Sequence, residues 1–387
     1  MHIKTVATLG PSCNGPEIMR GMVESGVRIF RLNFSHAKPH EFKESITLIR
    51  AIEQDLGIPL TIMGDLSGPK IRIDELTKSP VEIDKGEDLF LGLPDTKDRI
   101  QDGTFVSLSI PSLLQGLAPG TEAVFSDGLL RCVVREVLIE DRLFRLEALT
   151  QGILSSNKGI LFPGKAISLA TVTSKDLTDL EQGLPLDIDC FALSFVRKKE
   201  DLLTLKSAMR EAGREVPVIA KLERGEAVQA IDSILEAADA VMVARGDLGL
   251  DCPMEQLPVT QKKLIRACRH AQKPAIVATQ MLLSMVKSPM PTRAEATDVA
   301  NAIYDGADCV MLSEETAVGS YPLEAVRFIQ KIARETEPYY LERIAGPYPP
   351  KKGKHPGEYL AYSACLLADN TESEGLVCHS TTALTRR

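Results

Sequence analysis

Alternation between short apolar, β-rich segments and amphipathic helical segments is the sequence feature that most constrains this chain. Eight segments predict strands, and each precedes a stretch of helical character: Ile3–Leu9, Val27–Leu32, Leu60–Leu66, Cys190–Phe195, Val216–Leu222, Ala240–Val243, Ala275–Thr279 and Cys309–Leu312. Strands that alternate with helices form parallel sheets. Eight such units predict an α/β protein with a closed (β/α)₈ barrel rather than an open doubly wound sheet.

Amphipathic periodicity places helices between these strands. The clearest examples are Pro39–Gln54, Glu200–Ala212, Met254–Ala271 and Thr292–Asp305. The segment Thr173–Asp176 combines a capping hydroxyl with an acidic first turn, which is typical of a helix start.

The alternation is interrupted once, between Ser67 and about Gly164. Turn residues replace helical periodicity there, as at Asp102-Gly103 and Pro119-Gly120, which predicts a small β domain. We expect the barrel to comprise residues 1–66 and 168–345, and the inserted domain residues 67–167. An insertion in the third βα unit would overhang the carboxyl face of the barrel and could act as a lid.

Residues 346–387 predict a linker followed by one helix, Glu358–Asp369, and one strand, Gly375–His379. Two such elements cannot bury a core of their own. We therefore expect this segment to be the start of a further domain that is largely missing.

Composition excludes several classes of partner. The net charge is −8, tryptophan is absent and aromatic residues make up 5%, so we expect neither nucleic-acid nor anionic-membrane binding. No signal peptide and no membrane span are predicted. The eight cysteines contain no Cys-x-x-Cys pair, which favours reduced thiols in a cytoplasmic protein.

Polar residues at the carboxyl ends of barrel strands are the catalytic candidates. Lys221 and Glu223 are two residues apart on the fifth strand and share a face, and Asp247 follows the sixth strand. Two carboxylates suit Mg²⁺ or Mn²⁺, while Arg31 and Lys221 would attract an anionic substrate. This combination is what phosphoryl transfer needs. Taken singly, Lys221 with Glu223 could be a salt bridge and Asp247 a helix cap, but their occurrence at consecutive strand ends favours a site.

Seven segments resemble motifs of the pyruvate kinase family: Arg31–His36, Gly64–Arg72, Lys221–Glu223, Val241–Gly249, Ala278–Leu282, Pro291–Ala302 and Asp305–Ser313. The resemblance covers residues 1 to about 345 and is weak beyond. It implies transfer of a phosphoryl group from phosphoenolpyruvate to ADP, giving pyruvate and ATP.

The resemblance also implies roles for individual residues. Glu223 and Asp247 would hold Mg²⁺, Lys221 and Arg31 would stabilise and grip the phosphoryl group, and Gly246, Asp247 and Thr279 would hold the enolpyruvate portion. Thr279, with Ser313 and Glu315, is the implied region from which the enolate is protonated, without identifying the donor. The implied nucleotide-binding residues are Asn33, Phe34, Ser35, His36, Arg72, Asp127 and Lys158. The implied monovalent-cation position is formed by Asn33, Ser35 and Asp65.

The chain departs from the family pattern at three places. Leu66 and Lys70 replace an oxygen ligand and an acidic residue of potassium-dependent members, so we predict activity without K⁺ and an unused monovalent-cation position. Glu314 stands where the family usually has glycine, and its carboxylate could disturb either the backbone or the local field. The curtailed C-terminal segment predicts loss of effector control through that domain, and we expect a homo-oligomer formed through the barrel.

Two alternatives remain open from the sequence. A metal-dependent aldolase or lyase acting on pyruvate enolates would use Glu223 and Asp247, but it would not need an inserted nucleotide lid. A truncated, inactive protein that binds phosphoenolpyruvate or nucleotide is the second alternative, and the intact Lys221 and Thr279 argue against it.

Overall fold

The computed structural model describes residues 3–69, 71–165, 169–343, 356–371 and 373, apart from the side chains of residues 127, 342, 343, 358 and 369. Its centre is a closed barrel of eight parallel strands, in which the first strand pairs with both the second and the eighth. In chain order, the barrel strands are Lys4–Thr8, Val27–Asn33, Thr61–Leu66, Cys190–Leu193, Val218–Leu222, Ala240–Ala244, Ala275–Ala278 and Cys309–Leu312. The predicted (β/α)₈ barrel is confirmed.

Helices surround the barrel and connect its strands. They are Pro16–Glu24, Lys43–Leu56, Ser174–Gly183, Lys199–Glu211, Gly225–Gln229, Ile231–Ala237, Arg245–Asp251, Leu257–His270, Arg293–Asp305, Glu314–Ala317 and Pro322–Arg343. The helix that starts at Ser174 has the predicted cap, because Thr173 Oγ1 accepts a hydrogen bond from the Asp176 N–H at 3.1 Å. The predicted helix at Pro39 begins instead with a 3₁₀ turn, Pro39–Phe42.

The strands read as continuous apolar runs because both of their faces are buried. One set of side chains fills the barrel interior, including Val6, Met63, Met242 and Met311. The other set packs outward against the helices. The polar residues that interrupt these runs lie at the carboxyl ends of the strands, where they can line a cleft instead of entering the core.

A second body of β structure lies between the third barrel strand and the helix that starts at Ser174. Its strands are Val81–Ile83, Asp88–Gly92, Thr104–Ser107, Glu122–Phe125, Leu130–Ile139, Leu143–Ala148, Gly152–Leu154 and Ile160–Leu161. They form a six-stranded and a two-stranded sheet around a hydrophobic cluster separate from that of the barrel. We call this body the insert. Its predicted limits, 67 and 167, stay a prediction, and residues 166–168 lie outside the described residues.

Beyond the barrel, the structure describes one helix, Pro356–Asn370, close to the predicted Glu358–Asp369. The predicted strand Gly375–His379 lies outside the described residues. Within the described ranges, no helix is both long enough and apolar enough to cross a membrane.

Candidate active site

A large cleft of about 2400 Å³ lies over the carboxyl ends of the barrel strands. Strand ends line it from below, with Arg31, Asp247 and Thr279 among the lining residues, and Gly128 and Lys165 of the insert line it from the side. The insert thus occupies the position that a lid would need.

Lys221, at the end of the fifth strand, lies at the centre of the buried polar groups. Its ammonium donates to Ser194 Oγ at 2.6 Å and lies 3.1 Å from carboxylate oxygens of both Asp65 and Glu223. Burial works to lower the pKa of Lys221, but Asp65 and Glu223 outweigh it and raise that pKa. The two carboxylates therefore favour the charged form of this buried side chain.

Asp65 pairs with two cations at once. Its Oδ2 accepts a hydrogen bond from Arg31 Nε at 2.6 Å, while its Oδ1 faces Lys221. Arg31 also donates to Thr8 Oγ1 at 3.1 Å. Burial works to raise the pKa of Asp65, but Lys221 and Arg31 overcome this and lower it. Asp65 therefore fixes the positions of both predicted phosphoryl-binding cations.

Glu223 shares its carboxylate between Lys221 and the backbone. Its Oε2 accepts from the Phe195 N–H at 2.7 Å, and Phe195 follows the fourth strand in a left-handed conformation with φ of 56°. Left-handed backbone is uncommon for a bulky residue. Burial raises the pKa of Glu223 despite the opposing effect of Lys221, and the nearby carboxylates of Asp247 and Asp65 raise it further.

Glu223 and Asp247 fit a divalent cation in their chemistry. They are hard oxygen donors at neighbouring strand ends, and they repel each other in the absence of a cation. Asp247 lies in the first turn of helix Arg245–Asp251 and lines the cleft. Within the described ranges, no three acidic, histidine or cysteine residues are close enough to form a complete metal site. An ion held by two carboxylates would keep positions for water and substrate, as Mg²⁺ does.

Thr279, after the seventh strand, is held in an unusual conformation. It has a φ of 73°, which is strained for a β-branched residue, and Gln280 follows with a φ of 54°. Thr279 Oγ1 accepts from the Gly246 N–H at 2.7 Å and donates to the Ala278 carbonyl at 2.6 Å. Arg245 donates to the Thr279 carbonyl at 2.9 Å and pairs with Asp298 at 2.7 Å. Thr279 and Gly246, both predicted to hold substrate, therefore contact each other directly.

The eighth strand end presents three candidates in different environments. Glu315 is buried and accepts backbone N–H bonds from Leu282 at 3.0 Å and Ser313 at 2.7 Å. Ser313 lines the cleft, and its buried Oγ has no hydrogen-bond partner within the described residues. Glu314 is exposed to the cleft and begins a short helix with an ordinary negative φ. The backbone conformation at 314 therefore does not require glycine.

Of the predicted nucleotide-binding residues near the second strand, Asn33 and His36 line the cleft. Asn33 Oδ1 accepts from the Ser35 N–H at 3.1 Å, and Ser35 is exposed. The Phe34 side chain does not line the cleft. It is 1% exposed and packs in the core against Phe42 and Phe191, so its ring is not available to a nucleotide.

Arg72 and Lys158 lie together on the insert rather than among the residues that line the cleft. Arg72 forms an isolated bridge with Gly159 and donates to the Asn157 carbonyl at 2.9 Å. Both side chains are exposed. The side chain of Asp127 and all of Lys70 lie outside the described residues.

Two groups at this site have no role in the sequence prediction. Ser194 binds the Lys221 ammonium, and it could have been found as the first polar residue after the fourth strand. Arg224 is buried beside Glu223 and pairs with Asp251 at 3.6 Å. Nothing in the local sequence pattern indicates that this arginine is buried, because its partners lie 27 and 59 residues away in the chain.

The closed barrel, the insert over its mouth and the buried charges at the strand ends define an enzyme of the (β/α)₈-barrel class. The family model for the pyruvate kinase barrel domain matches residues 1–326. The chain belongs to the pyruvate kinase family.

Three relatives illustrate the extent of the match. The chain is 44% identical to pyruvate kinase 2 of Synechocystis over 337 residues, which is 86% of this chain and 56% of that protein. It is 40% identical to a pyruvate kinase of Agrobacterium vitis over 384 residues, 99% of this chain and 78% of the relative. It is 39% identical to the Thermotoga maritima pyruvate kinase over 334 residues, 86% of this chain and 71% of the relative. The chain thus spans only little more than half of the first of these relatives.

Proposed function

We propose that this protein transfers the phosphoryl group of phosphoenolpyruvate to ADP, giving pyruvate and ATP, with Mg²⁺ or Mn²⁺ as the required divalent cation. The observation that carries this proposal is the Lys221 ammonium, buried 3.1 Å from both Asp65 and Glu223. A cation fixed in this way beside Glu223, a proposed metal ligand, suits a transition state with charge on phosphoryl oxygens.

The charge balance of the site supports a divalent cation. Two cations, Arg31 and Lys221, face three carboxylates, those of Asp65, Glu223 and Asp247, so the group is net negative when all are ionised. An anionic substrate would be repelled by this group. A bound Mg²⁺ would reverse the sign of the site and polarise the oxygens of the transferred phosphoryl group.

In the proposed reaction, the bond between phosphorus and the enol oxygen breaks and a bond forms to a terminal oxygen of ADP. Lys221 stabilises the moving phosphoryl group and Arg31 binds it. The enolate gains a proton at its methylene carbon, and the region of Thr279, Ser313 and Glu315 is the proposed source. Ser313 Oγ is a buried hydroxyl at the cleft without a partner in the described part of the chain, which favours a role in that region.

We assign the remaining predicted residues to binding. The Gly246 amide, Asp247 and Thr279 hold the enolpyruvate portion, and Thr279 must then exchange its bond with Gly246 for one with substrate. Asn33, Ser35, His36, Arg72, Lys158 and Asp127 bind the nucleotide. Since Arg72 and Lys158 lie on the insert, movement of the insert towards the cleft would bring them to the phosphates and exclude water.

We also propose that K⁺ is not required. Leu66 is fully buried and offers no oxygen ligand, and Asp65 is already shared by Arg31 and Lys221. Asn33 Oδ1 is bonded to the Ser35 amide. Activity without C-terminal effector control, a cytoplasmic location and a homo-oligomer formed through the barrel remain predictions of the sequence.

Pyruvate formation from phosphoenolpyruvate, ADP and Mg²⁺ tests the proposal. We expect Lys221→Ala to lower turnover by about 1000-fold, because it removes a fixed charge that acts in the transition state. Lys199→Ala is a matched control, since its ammonium pairs with Glu236 on the exposed surface. Cleavage of a 4-hydroxy-2-oxo acid to pyruvate and an aldehyde, with no turnover of phosphoenolpyruvate and ADP, would favour the aldolase or lyase alternative. Phosphoenolpyruvate binding without turnover in the unmodified protein would favour the inactive alternative.

A further inference from the structure

The segment through which the chain leaves the insert, at Gly164 and Lys165, contacts the barrel beside the candidate metal ligands. Arg224, the residue after Glu223, donates from its NH2 to the Lys165 carbonyl at 3.2 Å. The Lys165 ammonium in turn donates to the carbonyls of Leu113 and Gln115 inside the insert, at 2.7 and 2.6 Å. Lys165 therefore contacts the insert through its side chain and the barrel through its backbone.

Asp251 completes this connection from the neighbouring barrel unit. It is the last residue of helix Arg245–Asp251, whose first turn carries Asp247. Its Oδ1 lies 3.6 Å from Arg224 NH1 and accepts from the Gly164 N–H at 3.4 Å. Its Oδ2 accepts from the Gly225 N–H at 2.6 Å. One buried carboxylate thus contacts the segment after Glu223, the helix of Asp247 and the insert.

The same helix contacts the insert a second time. Leu250 approaches Gly128 so closely that a Cβ on Gly128 would lie 2.8 Å from the Leu250 methyl group. The insert therefore packs directly on the element that carries Asp247. A shift of the insert relative to the barrel has to displace this helix, the Arg224 side chain or both.

We propose that Arg224 and Asp251 are positioning residues that couple the placement of the insert to the geometry of Glu223 and Asp247. The inference rests on the proposed function, because it assigns these two carboxylates to a divalent cation. Groups that hold metal ligands in place from behind contribute strongly to metal affinity, although they never touch the ion. In this protein Arg224 and Asp251 also bind the insert, through Lys165 and Gly164.

The direction in which the affinity for a divalent cation changes distinguishes positioning by Arg224 from a purely electrostatic effect of its charge. If Arg224 acted only through its charge, Arg224→Met would remove a nearby cation and strengthen binding of a divalent cation. If Arg224 positions Glu223, the same substitution should weaken binding by about tenfold. Arg224→Lys, which retains the charge but not the planar contacts with Asp251 and Lys165, should also weaken binding.

The test is titration of the full chain with Mn²⁺, with the free ion measured by electron paramagnetic resonance and no substrate present. We expect Arg224→Met and Asp251→Asn to raise the Kd for Mn²⁺ and to speed amide hydrogen exchange at Gly164 and Lys165. Arg50→Met is the matched control. Arg50 pairs with Asp187 and Asp189 at the amino ends of the strands, so its loss should leave the Mn²⁺ affinity within about twofold.

Unchanged or tighter Mn²⁺ binding in Arg224→Met, together with faster exchange at Gly164 and Lys165, would overturn the coupling and leave Arg224 and Asp251 as a tether of the insert. If Arg224→Met does not fold, Asp251→Asn decides, because its amide oxygen can still accept from Gly225 and the change is nearly isosteric. Absence of Mn²⁺ binding by the unmodified protein would overturn the proposed function itself, an outcome distinct from equal binding by all variants.

Discussion

The two sides of the barrel mouth hold buried carboxylates in different ways. On the charged side, formed by Asp65, Lys221, Glu223 and Asp247, the acids face side-chain cations and one another. On the backbone side, formed by Thr279, Ser313 and Glu315, the side chains of Thr279 and Glu315 bond to main-chain groups. Both oxygens of Glu315 accept N–H bonds from the loops after the seventh and eighth strands.

The two environments suit buried carboxylates to two different roles, which the sequence alone does not distinguish. A carboxylate satisfied by backbone amides fixes the course of a loop and is already stabilised in its ionised form. A buried carboxylate opposed by a like charge is incompletely compensated, and a ligand cation can supply the missing interaction. The charged side is therefore where a metal should act, while the backbone side should define the shape of the substrate pocket around the proposed source of the enolate proton.

The largest expected contrast is between Glu223→Gln and Glu315→Gln. The first removes a proposed metal ligand and should lower turnover by about 1000-fold, equivalent to about 4 kcal/mol of transition-state stabilisation. The second places an amide N–H₂ against a backbone donor, which should cost about 1–3 kcal/mol of stability. Turnover at saturating Mg²⁺ and urea unfolding of both variants measure the two effects. Equal losses of turnover in folded proteins would remove the distinction between the two sides.

Asp65→Asn should give the next largest effect, this time on stability. It breaks a buried group with two cations, so we expect the free energy of unfolding at pH 7 to fall by about 3 kcal/mol. Because the folded-state pKa of Asp65 lies below its ordinary value of 3.8, its stabilising contribution is present above that pH and is lost as the pH falls further. Urea unfolding from pH 7 down to pH 3.5 should therefore show the difference between Asp65→Asn and the unmodified protein beginning to shrink only near pH 4.

Asp187→Asn provides the comparison for that experiment. Asp187 pairs with Arg50 at 2.9 Å, but its side chain is 67% exposed, so the substitution should cost less than about 1 kcal/mol. A similar loss of unfolding free energy in Asp65→Asn and Asp187→Asn would mean that burial does not strengthen the ion pairs of Asp65.

The barrel could be predicted almost completely from the sequence. The eight strands differ from their predicted bounds by no more than two residues, since buried parallel strands are continuous apolar runs that end at polar residues. The same rule identified Lys221, Glu223 and Asp247 as neighbours. Phe34 follows the second strand, and its place within a motif gave no sign that its ring is buried in the core.

Hydrogen-bond partners at the site were beyond the reach of sequence patterns. The Glu315 bond to Leu282 depends on a loop that begins with two successive left-handed residues, Thr279 and Gln280. Neither residue type favours that conformation strongly enough to predict it. Likewise, Arg224 is buried only because Asp251 and Lys165 converge on it from two other parts of the chain.

Glu314 allows a smaller test of the backbone side. Its carboxylate is exposed to the cleft without an ion pair in the described part of the chain, so it should repel an anionic nucleotide weakly. We expect Glu314→Gln to lower the KM for ADP by about two- to threefold at low ionic strength, with kcat unchanged. The effect should disappear in about 0.5 M NaCl because salt screens exposed charges. A change that persists in salt would show that Glu314 acts through shape and not through its field.

The smallest expected effect is the response to K⁺, and it examines the charged side directly. Asp65 already faces two fixed cations, and buried Leu66 supplies no oxygen ligand. KCl added to an assay free of Na⁺ and K⁺ should therefore change turnover by less than about twofold. Tetramethylammonium chloride at the same ionic strength is the control. Lys70→Glu would remove the fixed ammonium predicted to replace the monovalent cation. That variant should lose turnover without K⁺ and recover part of it when KCl is added. A strong K⁺ response of the unmodified protein would show that Arg31 and Lys221 do not take the place of a bound monovalent cation.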